Sequence, residues 1–327
     1  MDLSLKSSLN NLTKNRSAIL LVGGRGTRLA PLTNNTPKPM LQVAGVPFTE
    51  HQILKARDAG ISEIVLATSF RAELFEPYFG DGKSFGISIK YAVEEVALGT
   101  GGAISNAAQA LTGTGPVAIF NGDVLSHHDL DAQFNFHSDK GADVTLYLTK
   151  VADARAFGAV ELDSEGKVSA FNEKMENPPT NIINAGCYIF ERSVIDTIPF
   201  GKVVSVERET FPTLLANKAK VFGFIDTSYW LDIGTPAALL KASRDLVFGM
   251  KKEFLALPDS NISSTSTVTG GSVIGRKAVV EADAVIDSSV LGDGAIVGER
   301  ARLTNCFVAP GFSVPSDVIA ENNFFGF

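Results

Sequence analysis

Residues 20–40 read LLVGGRGTRLAPLTNNTPKPM. The stretch begins as an apolar strand, breaks into a loop holding Gly23, Gly24 and Gly26, and closes on Pro37-Lys38-Pro39. Three cations fall inside it: Arg25, Arg28 and Lys38. Glycine lets backbone N–H groups come close to a ligand that a Cβ would hold away. Arginine offers phosphate oxygens a planar fork, and lysine offers a compact charge. The pattern therefore suits a polyphosphate, against the plainer reading of a flexible turn after a strand. It is neither of two common phosphate motifs. No GxxxxGK[ST] follows the strand, and Gly82-Lys83-Ser84 has Pro77 where the first glycine belongs. Leu29 stands where the dinucleotide fingerprint needs its third glycine.

Outward from this loop, residues 17–22 are a short buried strand, 47–59 have helical spacing and stop at Gly60, and 63–68 (EIVLAT) are the next strand. Strand, helix and strand in this order predict a right-handed crossover and an open α/β sheet. Ligands of such sheets lie beyond the carboxyl ends of the strands, where the loop falls. Residues 87–93 are a further strand that delivers Glu94-Glu95 into Leu98-Gly99-Thr100-Gly101-Gly102, followed by a helix to 111. Thr100 as a helix cap, with glycines for packing, is the plain reading of that segment. Residues 117–121 form a strand ending in Asn121-Gly122-Asp123, a place where a carboxylate can meet a ligand; His127 and His128 beyond it read as surface residues. Strands follow at 142–150, 157–160 and 168–172, the last two joined by a turn at Asp163-Ser164-Glu165-Gly166, and again at 184–190. In Tyr229-Trp230-Leu231-Asp232-Ile233-Gly234-Thr235-Pro236, Thr235 and Pro236 read as the cap and first residue of a helix running to about 248.

After residue 249 the period changes. Ile274, Val280 and Ile286 recur at six-residue spacing, and Leu291, Val297 and Leu303 repeat it after a one-residue slip. This is the hexapeptide rhythm of a parallel β-helix, with each apolar residue pointing inward. The aromatic end, 322–327, is placed to cap the last coil or to join another subunit.

Composition narrows the function classes. The 327 residues carry 29 Lys+Arg against 36 Asp+Glu, a net charge of −7 that disfavours nucleic acid. No stretch approaches a membrane span, and residues 1–16 lack the apolar core of a signal peptide, so a cytoplasmic protein without membrane contact is expected. Cys187 and Cys306, far apart in apolar surroundings, read as buried thiols. No HExxH and no GxSxG occurs.

The loop GGRGTRLAPLTNNTPKPM, with NAGCYIF, SVERETFP and WLDIGTP further on, resembles the sugar-phosphate nucleotidyltransferases. The resemblance implies a polar extension over 1–16 and an α/β, Rossmann-like mixed-sheet nucleotidyltransferase domain over 17–248. A linker over 249–267 and a short C-terminal left-handed parallel β-helix of hexapeptide repeats over 268–327 complete it. It places Leu21, Gly23, Gly24, Gly26, Thr27 and Arg28 around a nucleoside triphosphate, with Arg28 and Lys38 on its phosphates. Glu94, Gly99, Thr100 and Gly122 join that nucleotide set. Glu94 or Glu95 could accept from guanine N1–H and N2–H₂, with a solvated acidic pair as the equal alternative. Asp123 and Asp232 are implied Mg²⁺ ligands. Gly158, Glu173, Lys174, Asn184 and Glu207 are implied for the sugar phosphate. Two departures from the family pattern stand out: Gly101 replaces an alanine of the LGTAGA motif, and Met175 replaces the proline of Glu-Lys-Pro. The implied reaction joins a sugar 1-phosphate to a nucleoside triphosphate and releases pyrophosphate. Within the family the chain is most similar to enzymes using GTP and mannose 1-phosphate. Thymidylyl or uridylyl transfer to glucose 1-phosphate, and a non-catalytic regulatory subunit that binds sugar nucleotides, are the alternatives. A homo-oligomer, through the β-helix or the catalytic domain, is expected.

Overall fold

The computed structural model describes residues 16–24 and 26–327. Residues 1–15 of the expected extension, and Arg25, lie outside the described residues. Ser17–Leu21 (β1) leads through the glycine loop to Phe48–Asp58 (α1), which ends where Gly60 turns at φ 79°. Glu63–Thr68 (β2) and Ser88–Val93 (β3) follow, then Gly99–Ala108 (α2) and Val117–Asn121 (β4). β1 is parallel to β2 on one side and to β4 on the other, and β3 extends the row beyond β2. Ala18, Ile19 and Leu20 are fully buried, as expected for a parallel strand covered on both faces. Ile104, Ala107 and Ala108 of α2 pack on Ile19, Val65 and Ile119 of the sheet.

The remaining strands make the sheet mixed. Val124–Ser126 (β5) and Leu130–Lys140 (α3) precede Val144–Lys150 (β6). Gly158–Leu162 (β7) and Val168–Glu173 (β8) form the expected antiparallel hairpin, closed by Asp163 N–H on Lys167 C=O at 2.9 Å with Gly166 at φ 80°. Ile182–Phe190 (β9) runs antiparallel to β4 and β6, and its register shifts between Asn184 and Tyr188. Phe211–Ala216 (α4) leads to Val221–Ile225 (β10), parallel to β6. The main path of the sheet is β8-β7-β9-β4-β1-β2-β3. The chain leaves β1 toward β2 and β3, then returns to β1's other side as β4. That reversal is a topological switch point.

Among the described residues two compact units emerge: 16–24 with 51–230, and 26–50 with 231–327. In the second, Thr235 Oγ1 accepts from Ala238 N–H at 3.2 Å and Pro236 opens the helix Pro236–Gly249 (α5), as the sequence predicts. The chain then winds through three parallel sheets, the arrangement of a left-handed β-helix. Leu255–Ala256 and Asn261–Ile262, expected as linker, already pair in parallel with Val273–Ile274 and Val279–Val280. The six apolar residues of the hexapeptide rhythm are all buried. Successive coils are 17 residues apart after the first step. Corners recur in the left-handed region at Lys277, Gly294 and Gly311, and again at Asp283, Arg300 and Asp317. Inside, Ser289 N–H donates to Ser272 Oγ at 3.0 Å and Cys306 N–H to Ser289 Oγ at 2.9 Å. Phe324–Phe325 pairs with Phe307–Val308, so the aromatic end completes the last coil. Cys187 and Cys306 are both buried free thiols. Among the described residues no helix is long and apolar enough to cross a membrane.

Candidate active site

The carboxyl edge of β4-β1-β2-β3 carries most of the expected nucleotide residues. Gly122 N–H donates to Leu21 C=O at 3.0 Å, which seats the Gly122-Asp123 turn of β4 beside the start of the glycine loop. A Cβ on Gly122 would lie 2.2 Å from Leu21 O, so no other residue fits there. Ser69, just beyond β2, donates its hydroxyl to Gly23 C=O. A Cβ on Gly24 would meet nothing within 4 Å. Packing among the described residues therefore does not require glycine at this position. Glu94 N–H bonds Thr68 C=O at 2.8 Å, fixing the acidic pair at the end of β3. Glu94 Oε2 accepts from Leu98 N–H at 3.2 Å, while Oε1 is buried without a hydrogen-bond partner. Burial raises the pKa of this carboxyl above the ordinary carboxylate value.

The segment after β3 is held by the chain around Val204. Gly101 N–H donates to Val204 C=O at 2.8 Å, and a Cβ on Gly99 would lie 2.6 Å from the same oxygen. Thr100 is not the cap of α2: Leu98 precedes the helix without a side-chain cap. The Thr100 hydroxyl instead accepts from Val206 N–H at 2.9 Å and donates to Glu207 Oε2 at 2.8 Å. Glu207 lies in a five-residue π-helix, Val206–Thr210, capped by Ser205. One expected nucleotide residue thus holds one expected sugar residue.

The other sugar-side residues cluster on β7, β8 and β9. Gly158 pairs with Glu173, and a Cβ on Gly158 would come within 3.0 Å of Glu173 Oε2. Lys174 Nζ lies 3.3 Å from Glu173 Oε1 and is mostly exposed. Met175 removes the proline of the family motif, yet the backbone here is pinned another way. Lys174 sits at φ 50° with its N–H on Phe157 C=O at 3.1 Å. Asn184 spends part of its amide internally, donating Nδ2–H to Tyr188 Oη at 2.8 Å and accepting Gly186 N–H at 3.1 Å.

Within the second unit, Thr33 Oγ1 donates to Gly26 C=O at 3.0 Å. Gly26 turns at φ 63°, and a Cβ there would meet Lys38 Cβ at 2.8 Å. Thr27–Leu29 forms a 3₁₀ turn, and a Cβ on Gly234 would be 3.2 Å from the guanidinium nitrogens of Arg28. Arg28 therefore lies against the Asp232-Ile233-Gly234 segment, with Gly26 against Lys38.

The nucleotidyl transferase family model matches residues 17–247. The chain belongs to the nucleotidyl transferase family. A mannose-1-phosphate guanylyltransferase of Mycobacterium tuberculosis is 49% identical over 271 residues, covering 80% of this chain and 75% of that protein. The mannose-1-phosphate guanylyltransferase catalytic subunit beta of Drosophila melanogaster is 35% identical over 260 residues, covering 79% of this chain and 68% of its own. Among solved structures, HddC from Yersinia pseudotuberculosis complexed with GMP-PN is 28% identical with a TM-score of 0.60, covering 70% of this chain and 99% of that one.

In this member of the family, two site features escaped the sequence. His128 is a correction: it is buried, not a surface residue, while His127 is exposed. The ring stacks on Tyr147 at 3.8 Å, faces Lys55 Nζ at 2.9 Å through Nδ1, and faces Gln133 Oε1 at 3.1 Å through Nε2. Burial, then the Lys55 charge, pull its pKa down to about 3. The second feature is α1, whose Gln52 and Lys55 reach the chain around Asp123. Gln52 Nε2 donates to Asn121 C=O at 2.8 Å and Val124 C=O at 3.2 Å, and Lys55 Nζ to Ser126 C=O at 2.9 Å. No motif marks them; their i, i+3 spacing on a helix face is the only trace. For a metal, the described residues contain no group of three or more His, Cys, Asp or Glu able to hold one. Mg²⁺ typically takes one or two carboxylates and completes its oxygen shell with water and phosphate. Asp123, half-buried in the turn at the end of β4, offers a carboxylate that fits that donor chemistry.

Proposed function

We propose that the chain transfers a guanylyl group from GTP to mannose 1-phosphate, forming GDP-mannose and pyrophosphate. The observation that carries the proposal is the sheet reversal, where Gly122 N–H after β4 bonds the C=O of Leu21, the last residue of β1 before the glycine loop. The names of the Mycobacterium and Drosophila relatives support the sugar phosphate and base, and the GMP-PN complex of the Yersinia protein supports the base. Glu94 Oε1, buried and unpaired, suits the N–H donors on the Watson–Crick edge of guanine.

The nucleophile is a phosphate oxygen. With a second pKa of about 6 it is ionised at neutral pH, so no general base is required. Two anions must meet, and positioning with charge neutralisation carries the rate. Asp123 and Asp232 would hold Mg²⁺, which supplies Lewis-acid stabilisation of phosphoryl charge when bound. Arg28 and Lys38 stabilise charge on the departing pyrophosphate. Lys174 holds the sugar phosphate, with Glu173 and Asn184 toward the sugar. The absence of a membrane-spanning helix among the described residues fits a cytoplasmic enzyme.

The test is pyrophosphate release with Mg²⁺ across nucleoside triphosphates and sugar 1-phosphates. Dominant turnover of GTP with mannose 1-phosphate is expected. Dominance of a thymidylyl or uridylyl pair with glucose 1-phosphate overturns the base and sugar. Silence in a protein that binds GDP-mannose overturns catalysis in favour of a regulatory subunit.

A further inference from the structure

The turn carrying Asp123 is short, and its own strand cannot hold it. Beyond Asn121 the parallel ladder with β1 stops, and Val124–Ser126 belongs to a separate two-stranded sheet. One side chain ties the two together across Gly122-Asp123. Gln52 is buried, and its single Nε2 spans the dipeptide, with one hydrogen on Asn121 C=O at 2.8 Å and the other on Val124 C=O at 3.2 Å. One helical turn on, Lys55 Nζ meets Ser126 C=O at 2.9 Å, Ser126 Oγ at 3.1 Å and His128 Nδ1 at 2.9 Å. Gln52 Oε1 has no hydrogen-bond partner, so this residue is kept in place despite the cost of burying an unpaired carbonyl. A simple packing role would be filled by leucine or methionine without that cost.

The geometry points to Gln52 and Lys55 as positioning residues for Asp123. They fix the backbone of residues 121–126, so that the Asp123 carboxylate meets its ligand without first being ordered. This rests on the metal-binding role proposed for Asp123. Groups that orient a metal ligand commonly change metal affinity or activity by roughly 10–100-fold when removed. Gln52→Met keeps the volume and removes both donors.

Mn²⁺ binding to the full-length protein with GTP, read by electron paramagnetic resonance, tests the inference without turnover. Asp123→Asn, Gln52→Met and the double variant are compared with wild type. Gln52→Met is expected to weaken Mn²⁺ about tenfold, and the double variant to bind no more weakly than Asp123→Asn alone. Lys55→Met, whose donors fall farther along the turn, is expected to weaken Mn²⁺ by about threefold, again without effect on top of Asp123→Asn. It serves as the second variant if Gln52→Met does not fold. Unchanged Mn²⁺ affinity in a folded Gln52→Met or Lys55→Met, with a clear loss in Asp123→Asn, overturns the positioning role alone. Losses that add to that of Asp123→Asn overturn it as well, because they show an effect elsewhere. A silent Asp123→Asn overturns the metal role and the positioning role together.

Discussion

Replacing His128 by glutamine should change how stability depends on pH. The ring is buried, its Nδ1 faces the Lys55 ammonium at 2.9 Å, and its pKa is held down to about 3. A free histidine has a pKa of about 6.5. Between those values the unfolded chain binds a proton that the folded chain refuses, so stability falls as pH drops through 6.5 toward 3. At pH 5 the free imidazole is protonated about 30:1 while the buried one stays roughly 99% neutral, which makes the loss about 2 kcal/mol relative to pH 7. His128→Gln keeps an acceptor for Lys55 and cannot titrate. It should be less stable at pH 7 by about 1–3 kcal/mol, from imperfectly replaced hydrogen bonds. It should then lose about 2 kcal/mol less than wild type on going to pH 5. His137, also buried with a lowered pKa, contributes equally to both proteins and cancels. The assay is urea unfolding at several pH values followed by the fluorescence of Trp230, the one tryptophan, whose Nε1–H bonds Ala185 C=O in the same unit as His128. Parallel curves for the two proteins would refute the reasoning, as would a His128 ring that titrates near 6.5 by NMR.

Gly122→Ala should cost at least ~1–3 kcal/mol, the usual penalty for overpacking, because its Cβ would sit 2.2 Å from Leu21 O; thermal melts and nucleotide binding would both register it. Ser289→Ala removes the acceptor for Cys306 N–H and should destabilise the β-helix by about 1–3 kcal/mol, seen as an earlier melting transition. Glu94→Gln replaces a pure acceptor with a mixed group, so GTP should lose at least about tenfold in kcat/KM while ATP changes little; equal losses for both would remove Glu94 from base reading.

How far each of these residues was legible follows from how local its signal is. The inward positions of the β-helix announce themselves because one coil wall repeats every six residues, and burial acts on each repeat alike. The start of that β-helix did not, because Asn261, Ser263 and Thr267 clothe its first coil in polar side chains and Pro258 mimics a linker. The glycine loop and Asp123 stand at strand ends, where a break in apolar character marks them. Thr100 has a plain reading as a cap because a threonine before a helix is a good cap in isolation; only the fold brings Glu207 within reach of its hydroxyl. His128 and Gln52 were silent for the same reason: partners 73 and 69 residues away in the chain leave no periodic mark.

The 17-residue coil also governs which changes of length the C-terminal segment tolerates. Excising or duplicating 17 residues at a corner such as Gly294 returns every later side chain to its own wall, because the inward column of Ser272, Ser289 and Cys306 has that same spacing. An insertion of another size must be absorbed between strands, as the one extra residue of the first step is, or it turns the inward residues out to water. Whole rungs are thus the natural unit of gain and loss, and related chains that diverge in length here should do so in steps of one coil.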